Sequence, residues 1–523
     1  MTSPLPHVPW FALAALWLCG AARADVVTDL TLLRNRCLAF AAGHAPADPN
    51  VLTIRHGLWA QSPFSPEGEV DLAASGYALA CLPPAVEAGL LTRSQGLSIA
   101  TAASARIREM IRKSAQAVTE GDIAAYGYRG FLYHYPVWNP AAQEFHGPPG
   151  TEVSSVDTAI LLLGLTAAAR YFGEPVITDL AAARADLDWN AWQDQTTPGH
   201  LHQFRMSYTP AGGFANWWDW WTHEALLVIA CAGSCDPDLD LRAAWDAFTR
   251  DWVAYESPAP DAKRFACFAT WNGDPFTVFI AAAFLGLERF PPDFHGTDWF
   301  EQSRVAYHAH VEFFARELGF LNTTSTAFVI GGSGPVAHPK SSPDPVSPTN
   351  IAMVYAIAGG LPYYPAASAA NPLAATLSRF VRTTPGFFRW TGWPAAGVTA
   401  TVAPHPVASD LIIGQDICLT GLVIDNHLRQ GMVPDLMFSD PDLARALAVI
   451  FPARPVGLDL SGTVPRFSWR GIPGSSADLE WSPDLASWQP AGPLGFSATG
   501  LAAVDLPPGP RRGFHRLRDS SGP

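Results

Sequence analysis

TEVSSVDTAILLLGLTAAARYF, Thr151 to Phe172, holds the reading of this chain. Ser154 and Asp157 stand three apart before an apolar run. That spacing predicts a capping box, with Ser154 as N-cap and Asp157 at N3 facing the free amides of the first turn. The helix that follows, 156–172, is apolar nearly all round. A surface helix keeps a polar face; one without such a face is shielded on every side. VDLAASGYALACLPPAVEAGL (70–90) reads the same way. Apolar residues at three- and four-residue spacing recur at 92–117, 176–187, 222–232, 241–254, 276–288, 299–316, 348–358, 371–383 and 440–451.

The connections at 256–276, 321–347 and 385–416 are long and rich in Gly, Pro and aromatics. Loops of that length are functional or disordered as a rule, and aromatic-rich ones lean functional. About a dozen helices, half of them apolar all round, suggest two concentric helical rings. The expected fold is mainly α: an (α/α)6 toroid over 25–454, whose inner helices present a cleft at one end.

The texture changes after Pro455. Residues 455–523 form short alternating segments punctuated by Gly, Pro and Ser, which predicts a small C-terminal β-sandwich module. It resembles the C-terminal sandwich modules of many exported bacterial proteins, with Trp481–Trp488 reading W-S-x-D-L-x-S-W and Phe514–Leu517 reading F-x-R-L. Residues 1–24 read as a signal peptide: the apolar Trp10–Gly20 run is too short to span a bilayer, and Ala22-Arg23-Ala24 offers a cleavage site. Secreted or periplasmic location follows, and no later segment reads as a membrane span. Six cysteines remain after position 24. Cys231 and Cys235 are the most local pairing candidates; buried free thiols are the alternative.

A net charge of −14 argues against nucleic acid or an acidic membrane surface as partner. A neutral oligo- or polysaccharide fits better, and a monomer is expected. No cofactor motif is present. His200-x-His202 and His308-x-His310 pair histidines at a spacing that suits a strand, but the second pair sits in a predicted helix, where i,i+2 residues face apart; both read as ordinary surface or core histidines, so no metal site is expected.

Glu152 lies before the Ser154 cap, which has no use for it, and a carboxylate at the lip of an inner helix is a catalytic candidate. FANWWDWWTHEALLVIA, Phe214 to Ala230, places Trp217, Trp218, Trp220 and Trp221 around Asp219, with Thr222 as N-cap and His223 and Glu224 in the following first turn. Indole faces stack on the apolar faces of sugars, carboxylates bind their hydroxyls, and a dry wall raises a carboxyl pKa towards that of a useful general acid. Tyr133 and His134 in GYRGFLYHYPVW (127–138), Trp271 and Asp274 in FACFATWNGDPF (265–276), and Trp299 in DWFEQS (298–303) repeat the theme. Together with Trp217, Trp218, Asp219 and His223 they form the expected substrate-binding set.

The order of these motifs resembles the glucoamylase-like family of bacterial glycoside hydrolases, which is related to endo-β-1,2-glucanases. The resemblance rests on 71–93, GFLYHY (130–135), 151–172, WTHEALLVIACAGS (221–234), DWFEQSRVAYHAH (298–310) and SPTNIAMVYAIAGGLPYYPAAS (347–368). It implies a toroid and inverting hydrolysis of glucans. Glu152 and Asp157 match the positions of the family's acidic cluster, and Glu224 its other cleft glutamate. The resemblance makes Glu224 the general acid, with Glu152 positioning water or substrate. HGPPGT (146–151) lacks the further acid that many relatives carry, which leaves the general base open. Two other classes stay in view. A polysaccharide lyase would use Tyr133, His134 and Arg129, and a non-catalytic glycan-binding protein would bind without releasing reducing sugar.

Overall fold

The computed structural model describes residues 10–48, 50–258, 263–270, 275–316, 351–364, 371–388, 391–399, 408, 412–459, 466–482, 489–505 and 514–519, with backbone only for 10–24, 351, 397, 399, 457–459, 481, 505, 514, 515 and 519. About half of the described residues are helical, and the sheets are small. In chain order the helices are α1 (Trp10–Ala41), α2 (Leu72–Glu87), α3 (Arg93–Gln116), α4 (Glu120–Tyr126), α5 (Ser155–Phe172), α6 (Val176–Ala185), α7 (Trp189–Trp192) and α8 (His223–Cys235). After these come α9 (Leu241–Asp246), α10 (Trp299–Arg316), α11 (Val354–Gly359), α12 (Pro372–Thr383), α13 (Gly414–Arg429), α14 (Met432–Phe438) and α15 (Pro441–Ile450).

The helices that are apolar all round pack on one another. α13 packs on α2, α2 on α5, α5 on α8, α8 on the 3-10 turns of 275–283, those turns on α11, and α11 returns to α13. Outside this circuit α1 covers α2 and α13, α3 and α6 cover α5, α15 covers α8, and α12 covers α11. Most of α2, α5 and α8 is buried, as their missing polar faces require. α5 is long and apolar enough to cross a membrane, yet 83% of it is buried inside the fold.

Two glycines set the α2–α5 spacing. A Cβ on Gly164 would lie 1.9 Å from the carbonyl oxygen of Gly76, and one on Gly76 would lie 2.4 Å from that of Ile160. Only hydrogen fits at this crossing.

Several segments depart from the sequence reading. The helix expected at 241–254 stops at Asp246, and Trp252–Glu256 pairs with Arg264–Phe268 as a hairpin. The alternation of Val253 and Tyr255, paired with Cys267 and Phe265, suits a pleated surface better than a helix. The helix expected at 276–288 is a series of 3-10 turns, Pro275–Val278, Ile280–Ala283 and Leu287–Arg289, the last entered through Gly286, whose φ of 53° lies in the left-handed region. α13 and α14 occupy a region with no expected helix. At 348–358 a short strand, Ile351–Met353, precedes α11.

The C-terminal region forms two three-stranded antiparallel sheets. They share a small core of Trp469, Ala477, Leu479, Leu494, Phe496 and Ala502. Ile472, 1% exposed, belongs instead to the main core. Arg454 donates to the Asp293 carbonyl at 2.6 Å, and Arg289 to that of Ala498 at 3.4 Å. The six cysteines after position 24 are free thiols; Cys81 donates to the Cys418 carbonyl at 3.5 Å.

Candidate active site

Three of the central helices start at a side-chain cap. Asp71 accepts from the Ala74 amide at 2.9 Å, Ser154 from the Asp157 amide at 3.3 Å, and Thr222 from the Ala225 amide at 3.0 Å. Caps of this kind satisfy amides that the helix itself leaves bare. Next to each cap stands a carboxyl group: Asp71 itself, Asp157 and Glu224, joined by Asp416 in the first turn of α13. Four helix N-termini therefore bring acids to one end of the circuit, where the positive helix ends favour negative charge.

Tyr77 marks their meeting point. It is fully buried, and its hydroxyl has no hydrogen-bond partner among the described residues. Burial, then the charges of Glu224, Asp157, Asp416 and Asp71, push that hydroxyl well above its ordinary pKa. Asp71 is also fully buried, with Oδ2 unpartnered among the described residues, and burial raises its carboxyl to about 6 against the pull of His134.

Asp157 does not complete a capping box. The Ser154 amide donates instead to the Leu132 carbonyl at 3.0 Å. The Asp157 carboxylate is thus left to face His134, with Oδ1 3.5 Å from Nε2. Glu152 Oε1 lies 3.3 Å from the other ring nitrogen, Nδ1. The His134 hydrogen bond lowers the Glu152 pKa against burial. Tyr135 stacks on the His134 ring at 3.9 Å and receives a hydrogen bond from Gln61 at 3.2 Å.

The other predicted positions lie elsewhere. Tyr133 is 3% exposed and donates to the Ile123 carbonyl at 3.1 Å; burial raises its hydroxyl to about 12. Trp218 is 4% exposed and its indole donates to Ser155 at 3.0 Å. His223 is fully buried between Ser303 and the Ala281 amide, and burial lowers its pKa to about 3. Trp299 is buried, stacks on Trp221 at 4.2 Å, and donates to Asp293 at 2.8 Å. Among the described residues these four side chains are buried in the core. Trp217 stacks on His200 at 3.8 Å and donates to Asp194 at 2.8 Å, on the hairpin beyond the cap. Asp219 is partly exposed, and its carbonyl accepts from the Thr249 amide at 2.7 Å. Trp271 and Asp274 lie outside the described residues.

The sequence reading did not single out Asp71, Tyr77 or Asp416 as site residues. Asp71 and Asp416 nonetheless carry the signal that identified Asp157, an acid at the first turn of an apolar run. In DLAASGYALA the acid reads as one more residue of a helix, and in GQDICLTGLVIDNHL it falls at the edge of an expected loop.

No family model matches the sequence, and a sequence comparison with curated proteins returns no match. Solved structures do match. The chain is similar to a β-1,2-glucanase from Parabacteroides distasonis, with a TM-score of 0.59 at 14% identity, over 82% of this chain and 60% of that one. It spans less than two thirds of that glucanase. It is also similar to an endo-β-1,2-glucanase from Chitinophaga pinensis in complex with sophorotriose and glucose, with a TM-score of 0.57 at 13% identity, over 81% of this chain and 98% of that one. A candidate glucoamylase from Bacteroides uniformis gives a TM-score of 0.58 at 14% identity, over 80% and 96%. The resemblance drawn from the motifs therefore holds at the level of fold: the chain is built like the glucoamylase-like and β-1,2-glucanase structures.

Proposed function

We propose that this protein is an exported glycoside hydrolase that cleaves a neutral glucan of the β-1,2 type with inversion. The observation that carries the reading is the convergence of Glu224, Asp157, Asp416 and Asp71 around Tyr77, with Glu152 and His134 beside them. Inverting hydrolysis needs a proton donor and a second carboxylate on opposite faces of the sugar, about 6.5–9.5 Å apart, with a water between. Glu224 is the general acid in this reading. Glu152, half exposed at the lip, positions water or substrate, and Asp157 supports it. The glucan and its linkage are taken from the β-1,2-glucanases that share the fold.

The scaffold of the proposal is an (α/α)6 toroid over 25–454, supported by the closed helix circuit, with a β-sandwich module over 455–523. Export rests on the 1–24 signal pattern. α1 keeps its packing after cleavage there, because Leu30, Leu33, Leu38 and Phe40 are what bury it. The lyase alternative loses support, since Tyr133 is buried and bound to a carbonyl rather than free to take a proton.

The test is reducing-end release from a panel of α- and β-glucans that includes linear β-1,2-glucan. Glu224→Gln is expected to lower hydrolysis by about 10²–10⁴-fold while sparing binding. Saturable binding with no reducing sugar from the wild type would establish a glycan-binding protein instead. Wild-type turnover in Glu224→Gln would show that the acid is another residue.

A further inference from the structure

Both ring nitrogens of His134 are already engaged, by Glu152 at 3.3 Å and Asp157 at 3.5 Å. Neither is left for a substrate hydroxyl. The backbone on either side is fixed as well. The His134 amide donates to the Glu152 carbonyl at 3.1 Å, and its carbonyl accepts from the Leu72 amide at 3.3 Å, just past the Asp71 cap. Tyr135 covers one face of the ring. We propose that His134 is a positioning residue, a two-armed clamp that holds the Glu152 and Asp157 carboxylates in register, and not a substrate ligand. The inference rests on the hydrolase reading of this acid cluster.

Serving two carboxylates at once takes both N–H groups, hence the imidazolium. Every charged group facing the ring favours that form. Burial pushes the pKa of His134 down, but Asp157, Glu152 and Asp71 more than offset it and bring it to about 9. The folded pKa lies above the ordinary value of about 6.5, so the clamp is fully present below that value and is lost as pH rises through about 9. A neutral ring turns a lone pair towards one carboxylate. Glu152, on its exposed loop, is then released.

His134→Gln tests this, because glutamine keeps a donor but cannot serve both acids or titrate. On the glucan most rapidly hydrolysed, kcat is expected to fall about 10–100-fold, as for reacting groups misplaced by about 1 Å, with KM within about twofold. Beyond the alkaline fall set by the Glu224 proton, the wild-type kcat profile should drop again near pH 9, and His134→Gln should lack this second fall. A proton NMR titration of the histidine ring, assigned by its loss in His134→Gln, gives a readout independent of activity. It should titrate near 9 in the wild type and move towards 6.5 in Glu152→Gln. A wild-type value near 6.5, or an unchanged kcat and second alkaline fall in His134→Gln, would overturn the clamp. If the wild type hydrolyses no glucan, the hydrolase reading fails and the titration alone decides whether the clamp exists.

Discussion

Gly164→Ala is the perturbation that links the fold to the acids most tightly. The new methyl would sit 1.9 Å from the Gly76 carbonyl oxygen, against 3.4 Å for ordinary contact, and the atom it meets is backbone. No rotamer change relieves such a clash, so α2 and α5 must part by about 1.5 Å in an interior packed like a crystal. Overpacking costs about 1–3 kcal/mol, and a backbone-to-backbone clash belongs at the upper end or beyond. Alanine returns about 1 kcal/mol of helix propensity. The net loss is about 2 kcal/mol or more. For a helical region of this length the unfolding entropy is roughly 0.9 kcal/mol/K, so the melting temperature should fall by about 2–3 °C. The effect on turnover should be larger. α2 carries Asp71 and α5 carries Asp157, and displacing reacting groups by about 1 Å can cost about 10²-fold. The assay is calorimetric melting together with reducing-end release. Gly121→Ala in α4 is the control, because its Cβ meets only the Thr119 hydroxyl at 4.0 Å; it should melt no lower than the wild type. A Gly164→Ala protein with wild-type melting and wild-type turnover would refute the argument that this contact sets the spacing of the acids.

Three further outcomes follow from the geometry. Asp157→Asn should lower turnover with little change in melting temperature, since Ser154 caps α5 and the Asp157 side chain faces His134 instead; a large fall in melting with activity retained below it would restore the capping role. Trp218→Phe should destabilise by about 1–3 kcal/mol by removing the indole donor from buried Ser155 and leaving a gap, and urea unfolding that is unchanged would contradict its packed role. Deletion of 455–523 should leave a folded, active helical domain that melts lower than the full chain, because Ile472 leaves the main core; truncating such a side chain costs about 2–5 kcal/mol. A soluble, well-folded but inactive truncation would contradict the division of labour.

How far the sequence could be read depended on the period of its apolar residues. α3, α5, α6, α8, α10, α12 and α15 lie within a few residues of their expected bounds, because each carries a long run at helical spacing. The region 275–289 misled because its run of Phe, Ile and Ala suits several conformations, and only packing selects 3-10 turns. α13 was hidden by the aromatic- and proline-rich loop before it, and with it went Asp416. The tryptophans misled in a different way. Their density in 217–221 pointed to a ligand wall, but Trp218 and Trp221 spend their faces on the core. Sequence reports that an indole is present and is silent on which way it turns. The acids were more legible, because a helix cap fixes where the first turn must lie.

The most direct measurement of the central claim is the anomeric configuration of newly released reducing ends, followed by proton NMR during the first minutes of hydrolysis of linear β-1,2-glucan. The account predicts that the α-anomer accumulates first and then relaxes by mutarotation, as single displacement by water at a β-linkage requires. Reducing ends that appear first as the β-anomer, or no reducing ends from any glucan in the panel, would contradict it.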